Sequence, residues 1–187
     1  GPEVAPINYD PAKFGYSVIN DAPEVSQRHK KGEVYFSDKI ASKEVEEIFM
    51  EEWLLVGRVE EVEKTGDYYT HRVADEPIVV TREKNGNIQA FANVCRHRMM
   101  RLLEGGGRCT RIVCPYHAWT YDISGQLIHA RHMERSKHFN ISDIQLPRVR
   151  CEIWEGWIFV TLNWKIRSVA KRLAPLQKIV KRYRMSK

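Results

Sequence analysis

The chain has 187 residues, 43% of them hydrophobic and 10% aromatic, with a formal net charge of +6; that is about one folded domain, with no low-complexity tract to suggest disorder. No run approaches the roughly 20 apolar residues that span a bilayer, and the basic and apolar regions of a secretory signal are missing from the N-terminus, so a cytosolic location and no membrane partner are expected. Nine of the 30 basic residues and none of the 24 acidic ones fall within 156–187, leaving 21 basic against 24 acidic before it, so the basic face that nucleic-acid binding requires is not expected on the folded part.

Residues 1–36 contain Pro2, Pro6, Pro11 and Pro23 and no periodicity, which predicts an extended arm. A helix follows, with Ser42 as its N-cap, Glu44, Glu46 and Glu47 at the positive end of the dipole, and Val45, Ile48, Phe49 and Trp53 as a buried stripe. Arm and helix form a first segment, 1–52. From 53 to 163 the sequence reads as short strands: "YYTHRV", "PIVVTR", "NIQAFANV", "RIVC", "AWTYD", "QLIHA", "LPRVRCEIW" and "WIFVTLN". Asn85-Gly86, Ser124-Gly125 and Glu155-Gly156 mark turns, and Gly105-Gly106-Gly107 is expected to bend freely. The predicted class is mainly β, an antiparallel sandwich or barrel preceded by an N-terminal helix and followed by a basic amphipathic helical tail. In that tail, 164–187, Ile166, Val169, Leu173, Leu176, Val180 and Tyr183 make one apolar face, and Pro175 splits the pattern into two short helices. Its stripe is read as covering a protein surface rather than a membrane.

"NVCRHRMMRLLEGGGRCTRIVCPYHAWTYD" carries two mixed ligand pairs, Cys95 with His97 and Cys114 with His117. In a cytosolic chain such cysteines read as metal ligands rather than disulfides. Cys109 and Cys151 have no histidine at ligand spacing and are read as small buried hydrophobes. A structural zinc site takes two thiolates and two imidazoles, but its usual patterns keep the cysteines in one pair and the histidines in the other. A Rieske [2Fe–2S] centre instead puts two cysteines on one iron and two histidines on the other. Two loops that each offer one sulfur and one nitrogen suit that division. Neutral imidazoles also raise the potential, to about −150 to +300 mV against roughly −400 mV for plant-type ferredoxins.

"CRHR", "CPYHAWTYD" and the glycine of "SGQL" resemble the Rieske domain of aromatic-ring-hydroxylating and related Rieske non-haem iron oxygenases. The resemblance runs from Trp53 to "WEGWIFVTLN". It implies that Cys95 and Cys114 bind an inner iron and that His97 and His117 bind an outer one. It further implies electrons from a ferredoxin or an NAD(P)H-dependent reductase, and a mononuclear iron in a following catalytic domain that hydroxylates a small organic substrate, with an aromatic one favoured. A homotrimer or α3β3 assembly is implied as well. The respiratory type carries an extra cysteine in each loop and a serine beyond the last histidine; here those places hold Met100, Tyr116 and Trp119, which implies a potential at the low end of the range. Met99 and Ala118 stand where the family usually has glycine, changes expected to be small in effect unless φ is positive.

Trp119 and Tyr121 are expected to pack beneath the cluster loop, and Arg98 either steers an acidic partner or is simply solvated. No room is left for the catalytic domain, so the chain is expected to be an N-terminal portion that relays electrons, with no catalytic residue of its own. His129 and His132, followed by Glu134, read as loop histidines rather than a facial triad. The alternatives are a stand-alone Rieske ferredoxin and, less favoured, a zinc-binding module.

Overall fold

A computed structural model describes residues 37–133 and 138–183. The expected extended arm, 1–36, lies outside the described residues, as does Glu134. The chain divides into two units, 1–41 and 42–187, and among the described residues every strand lies in the second.

Helix α1 (Asp38–Glu44) continues into a π-helical turn, Val45–Phe49. Two expectations fail here. Ser42 lies inside the helix rather than at its cap, and neither segment holds a buried residue; Ile48 and Phe49 are exposed. Of the predicted stripe, Val45 and Trp53 are half-buried, Trp53 lying under the Arg150 guanidinium at 4.9 Å and donating to the Arg167 carbonyl at 2.8 Å, so only the Ile48 and Phe49 part is left uncovered among the described residues.

Among the described residues ten strands follow: β1 (Leu54–Arg58), β2 (Asp67–Val73), β3 (Glu76–Arg82), β4 (Ile88–Ala92), β5 (Gly106–Arg108), β6 (Arg111–Val113), β7 (Thr120–Asp122), β8 (Leu127–His129), β9 (Arg148–Trp154) and β10 (Trp157–Thr161). Seven form one antiparallel sheet in the order β1-β10-β9-β4-β3-β2-β5, and β6-β7-β8 form a second of three. The class is mainly β, as the runs predicted. Strand β1, "LLVGR", went unread because Gly57 and Arg58 break its alternation.

The larger sheet separates two cores by simple alternation, since successive side chains in a strand point to opposite faces. In β3, Ile78 and Val80 enter one core and Val79 the other; in β4, Ala90 and Phe91 divide the same way. A strand buried on both faces reads as a continuous apolar run, as "IVV" does. The core on the Val79 and Phe91 side also holds Ile112, Tyr121, Leu127, Cys95 and Cys114. It carries the ligand loops.

The triple glycine bends at Gly105, where φ is +61° and the space for a Cβ is open. Gly106 and Gly107 lie in β5, opposite Tyr69 and Tyr68 of β2. A Cβ on Gly106 would sit 3.3 Å from the Tyr68 carbonyl oxygen, so the residue permits close strand approach. Gly125, at φ +83°, turns β7 into β8 over the Phe91 ring, where a Cβ would come within 2.9 Å of Cε1. Asp122 Oδ1 closes that turn by accepting from the Ser124 and Gln126 amides at 2.9 and 3.0 Å. Thr81 Oγ1 donates to the Ile123 carbonyl at 3.0 Å, tying the larger sheet to the smaller.

Past β10, Pro175 lies in a 3-10 turn (Ala174–Leu176) between α2 (Val169–Arg172) and α3 (Gln177–Lys181). Val169 is buried, while Leu176, Ile179 and Tyr183 are exposed. Hydrogen bonds hold this segment to β9: Arg150 donates to the Ile166 carbonyl at 2.5 Å, Val169 N–H to Glu152 at 2.8 Å and Trp154 Nε1 to Gln177 at 2.9 Å. No helix of the described residues is long and apolar enough to cross a membrane.

Candidate metal centre

Two loops of one design present the four predicted ligands. In the first, the Cys95 amide donates to the Met100 carbonyl at 2.8 Å and the Met99 amide to the Cys95 carbonyl at 2.9 Å. In the second, the Cys114 amide donates to the Trp119 carbonyl at 2.8 Å and the Ala118 amide to the Cys114 carbonyl at 3.0 Å. Each cysteine thus closes a turn through both its peptide groups, with its histidine on the turn. Closure requires a left-handed residue near the end, and Met99 and Ala118 take φ of +53° and +56°. These two positions were expected to matter little unless φ was positive. It is positive in both, at an intrinsic cost of roughly 1–2 kcal/mol per residue with a Cβ.

Buried Asn93 clamps the first loop, donating from Nδ2 to the Leu103 carbonyl at 2.8 Å and accepting the Leu103 amide on Oδ1 at 3.0 Å. Nothing in its local sequence marks this role. Such a clamp joins backbone stretches that meet only once the loop has formed.

The donors divide by depth. Cys95 and Cys114 are buried at 0% and 3% exposure. His97 is exposed and His117 half-buried, with ring centroids 4.8 Å apart at 63°. Sulfur therefore lies inside and imidazole outside. Tyr121, fully buried, accepts the Arg96 amide at 3.0 Å and lies 3.3 Å from the Cys95 sulfur, so that with Cys95 as a ligating thiolate the phenol is the donor of this pair. Burial raises the Tyr121 phenol, which keeps it a donor. Burial also raises the Cys95 thiol and neighbouring Cys114 adds to the rise, while Tyr121 and the His97 amide oppose it. Partial burial, then the positive charges of His97, Arg98 and His132, hold His117 below its usual range. A neutral imidazole keeps the lone pair that a ligand needs.

Trp119 is buried, and its ring lies flat against His97 at 4.7 Å and 6°, with Phe139 edge-on behind it at 5.6 Å. Tyr116 leans on His117 at 3.7 Å. Phe139 lies outside every predicted run and Tyr116 entered the sequence reading only as a replaced cysteine, so neither contact could be read locally. Arg98 is exposed and acts on His117 by charge. His129 and His132 are exposed; the third member of their suggested triad, Glu134, is outside the described residues. Cys109 and Cys151 are free thiols, half-buried against the two cores, and burial pushes Cys151 up to about 12.

Two buried polar atoms at this site have no hydrogen-bond partner, His117 Nδ1 and Trp119 Nε1. An unpaired buried group costs about 1–3 kcal/mol; the indole N–H of Trp119 is a donor only and does not bear on metal binding, whereas His117 Nδ1 can offer a lone pair to a Lewis acid that the polypeptide does not supply. Two adjacent buried sulfurs beneath two imidazoles fit a [2Fe–2S] cluster, with one iron on the sulfur side and one on the nitrogen side.

The family model of the Rieske [2Fe-2S] domain matches residues 52–149. The carnitine monooxygenase oxygenase subunit of Escherichia coli (strain K12) is 35% identical over 144 residues, covering 76% of this chain and 38% of that subunit. The biphenyl 2,3-dioxygenase subunit alpha of Rhodococcus jostii (strain RHA1) is 35% identical over 133 residues, covering 70% and 28%. The solved structure of the quaternary ammonium Rieske monooxygenase CntA with gamma-butyrobetaine superposes with a TM-score of 0.76 at 30% identity, over 82% of this chain and 45% of that one. The chain thus spans 28–45% of the length of these relatives.

Proposed function

The chain belongs to the Rieske [2Fe–2S] domain family, and from that premise we propose that it is the electron-transferring portion of a terminal oxygenase component. The observation that carries this reading is the divided donor set, with buried Cys95 and Cys114 beneath adjacent His97 and His117. In this reading the cysteines hold the inner iron and the histidines the outer one. When bound, the cluster supplies a one-electron carrier whose imidazole ligands raise its potential above that of an all-thiolate centre.

The chain's own residues set the conditions. Tyr121 donates to the Cys95 sulfur and so favours its thiolate form. The lowered His117 keeps its ligating lone pair at neutral pH. The buried sulfur side excludes water, whereas the exposed His97 leaves an edge that a redox partner can reach. Arg98 beside that edge attracts acidic surfaces. The donor is a ferredoxin or an NAD(P)H-dependent reductase. The acceptor is a mononuclear iron, held by two histidines and a carboxylate in a catalytic domain of a homotrimeric or α3β3 oxygenase.

The whole oxygenase would cis-dihydroxylate, monooxygenate or demethylate a small organic substrate. Relatives named for carnitine and for biphenyl are equally identical to this chain, at 35%, so the aromatic preference draws no support over a quaternary ammonium. A stand-alone carrier is the weaker reading, because these relatives are oxygenase subunits.

Iron, acid-labile sulfide and zinc, measured per chain together with the EPR spectrum after dithionite reduction, test the assignment. About two irons and two sulfides with a Rieske signal are expected. Zinc without sulfide would sink it.

A further inference from the structure

We propose that Trp119 is a positioning residue for His97, its indole face holding the imidazole in the orientation in which it ligates. The inference rests on the Rieske reading and adds to it a role for a residue outside the ligand set.

The two histidines come from similar loops but are held differently. His117 is half-buried, with Tyr116 against its ring and its Nδ1 out of solvent. His97 is exposed, and among the described residues the rings that meet it are His117 and Trp119. An exposed histidine turns freely about two side-chain bonds, and fixing it costs rotamer entropy. The contact at 4.7 Å and 6° is flat stacking, which stops the imidazole turning out of the indole plane.

The shelf itself is rigid. Trp119 is 4% exposed, its carbonyl closes the second loop by accepting the Cys114 amide at 2.8 Å, and Phe139 abuts it at 61°. His97 belongs to the first loop and Trp119 to the second, so the stack also fixes the spacing of the loops. Among the described residues no backbone–backbone hydrogen bond joins one loop to the other, and another tie across them is the Arg96 amide donating to Tyr121 at 3.0 Å.

The test compares the full chain, purified with its cluster, as wild type, Trp119→Phe and Trp119→Leu. Two readouts report ligand geometry rather than activity: nitrogen hyperfine couplings of the reduced centre, and the rate at which a ferrous chelator removes iron. Phenylalanine keeps an aromatic face and drops the N–H, so Trp119→Phe should match wild type on both. Trp119→Leu should broaden the histidine couplings and release iron roughly two- to tenfold faster, the range that losing one aromatic stack implies. If Trp119→Leu does not fold, Phe139→Leu loosens the shelf from behind and should move both readouts in the same direction by less. A loaded Trp119→Leu protein identical to wild type, or equal damage in Trp119→Phe and Trp119→Leu, would overturn this inference alone. So would an unchanged Phe139→Leu protein where Trp119→Leu does not fold. Wild type without iron and sulfide would overturn the Rieske reading and this inference together.

Discussion

Met99 and Ala118 each take a backbone shape that glycine adopts freely and other residues do not. The left-handed cost of roughly 1–2 kcal/mol is partly offset because glycine loses about 0.5–1 kcal/mol more entropy on folding. Met99→Gly and Ala118→Gly should therefore each raise stability by up to about 1 kcal/mol, measured by urea unfolding of the cluster-free chain. Destabilisation by either would show that the side chain makes up its strain by packing. Tyr121 gives a second prediction. Its hydroxyl donates to the Cys95 sulfur, and such a bond favours the more negative, reduced state. Tyr121→Phe should lower the midpoint potential. A bond worth about 1 kcal/mol corresponds to a shift on the order of 40 mV for one electron, and protein-film voltammetry would read it.

Edge strand β5 is short and pairs with β2 alone, so its side-chain clamp matters more than a clamp would in the middle of the sheet. Arg108 on β5 donates to Asp67 on β2 at 2.6 Å, and the Lys64 amide donates to the other carboxylate oxygen at 2.7 Å. The Arg108 bond first and the Lys64 amide second hold Asp67 below the usual carboxylate range. A carboxyl lowered by folding contributes stability above its unfolded pKa, near 3.9, and loses it as pH falls through the folded value. Unfolding midpoints measured from pH 6 downward should decline less steeply for Asp67→Asn than for wild type. Parallel curves would show that the clamp contributes nothing.

At the scale of the molecule, the larger sheet divides an apolar core that includes Cys95 and Cys114 from one that includes neither. Ligation stabilises only the state that binds, and local opening follows contiguous packing units. Iron removal should therefore speed amide exchange at Ile112, Tyr121 and Leu127 far more than at Val80, Ile158 and Val160. Uniform acceleration would mean that the two cores unfold as one.

Four candidate ligands, Cys95, His97, Cys114 and His117, could be read from the sequence alone, because spacing within a loop and the order of thiol and imidazole are local properties. The sequence also determined most strands, since β-branched runs bounded by Asn-Gly, Ser-Gly and Glu-Gly turns report their own backbone preference. Tertiary structure decided the rest. The stripe through Ile48 and Phe49 promised burial that no neighbour among the described residues provides, and "LLVGR" and "GGR" became strands only beside β10 and β2. Trp119 and Tyr121 could be read as packing residues near the site. That one lies under His97 and the other bonds to Cys95 follows from the meeting of two loops, a relation that periodicity along either loop does not contain.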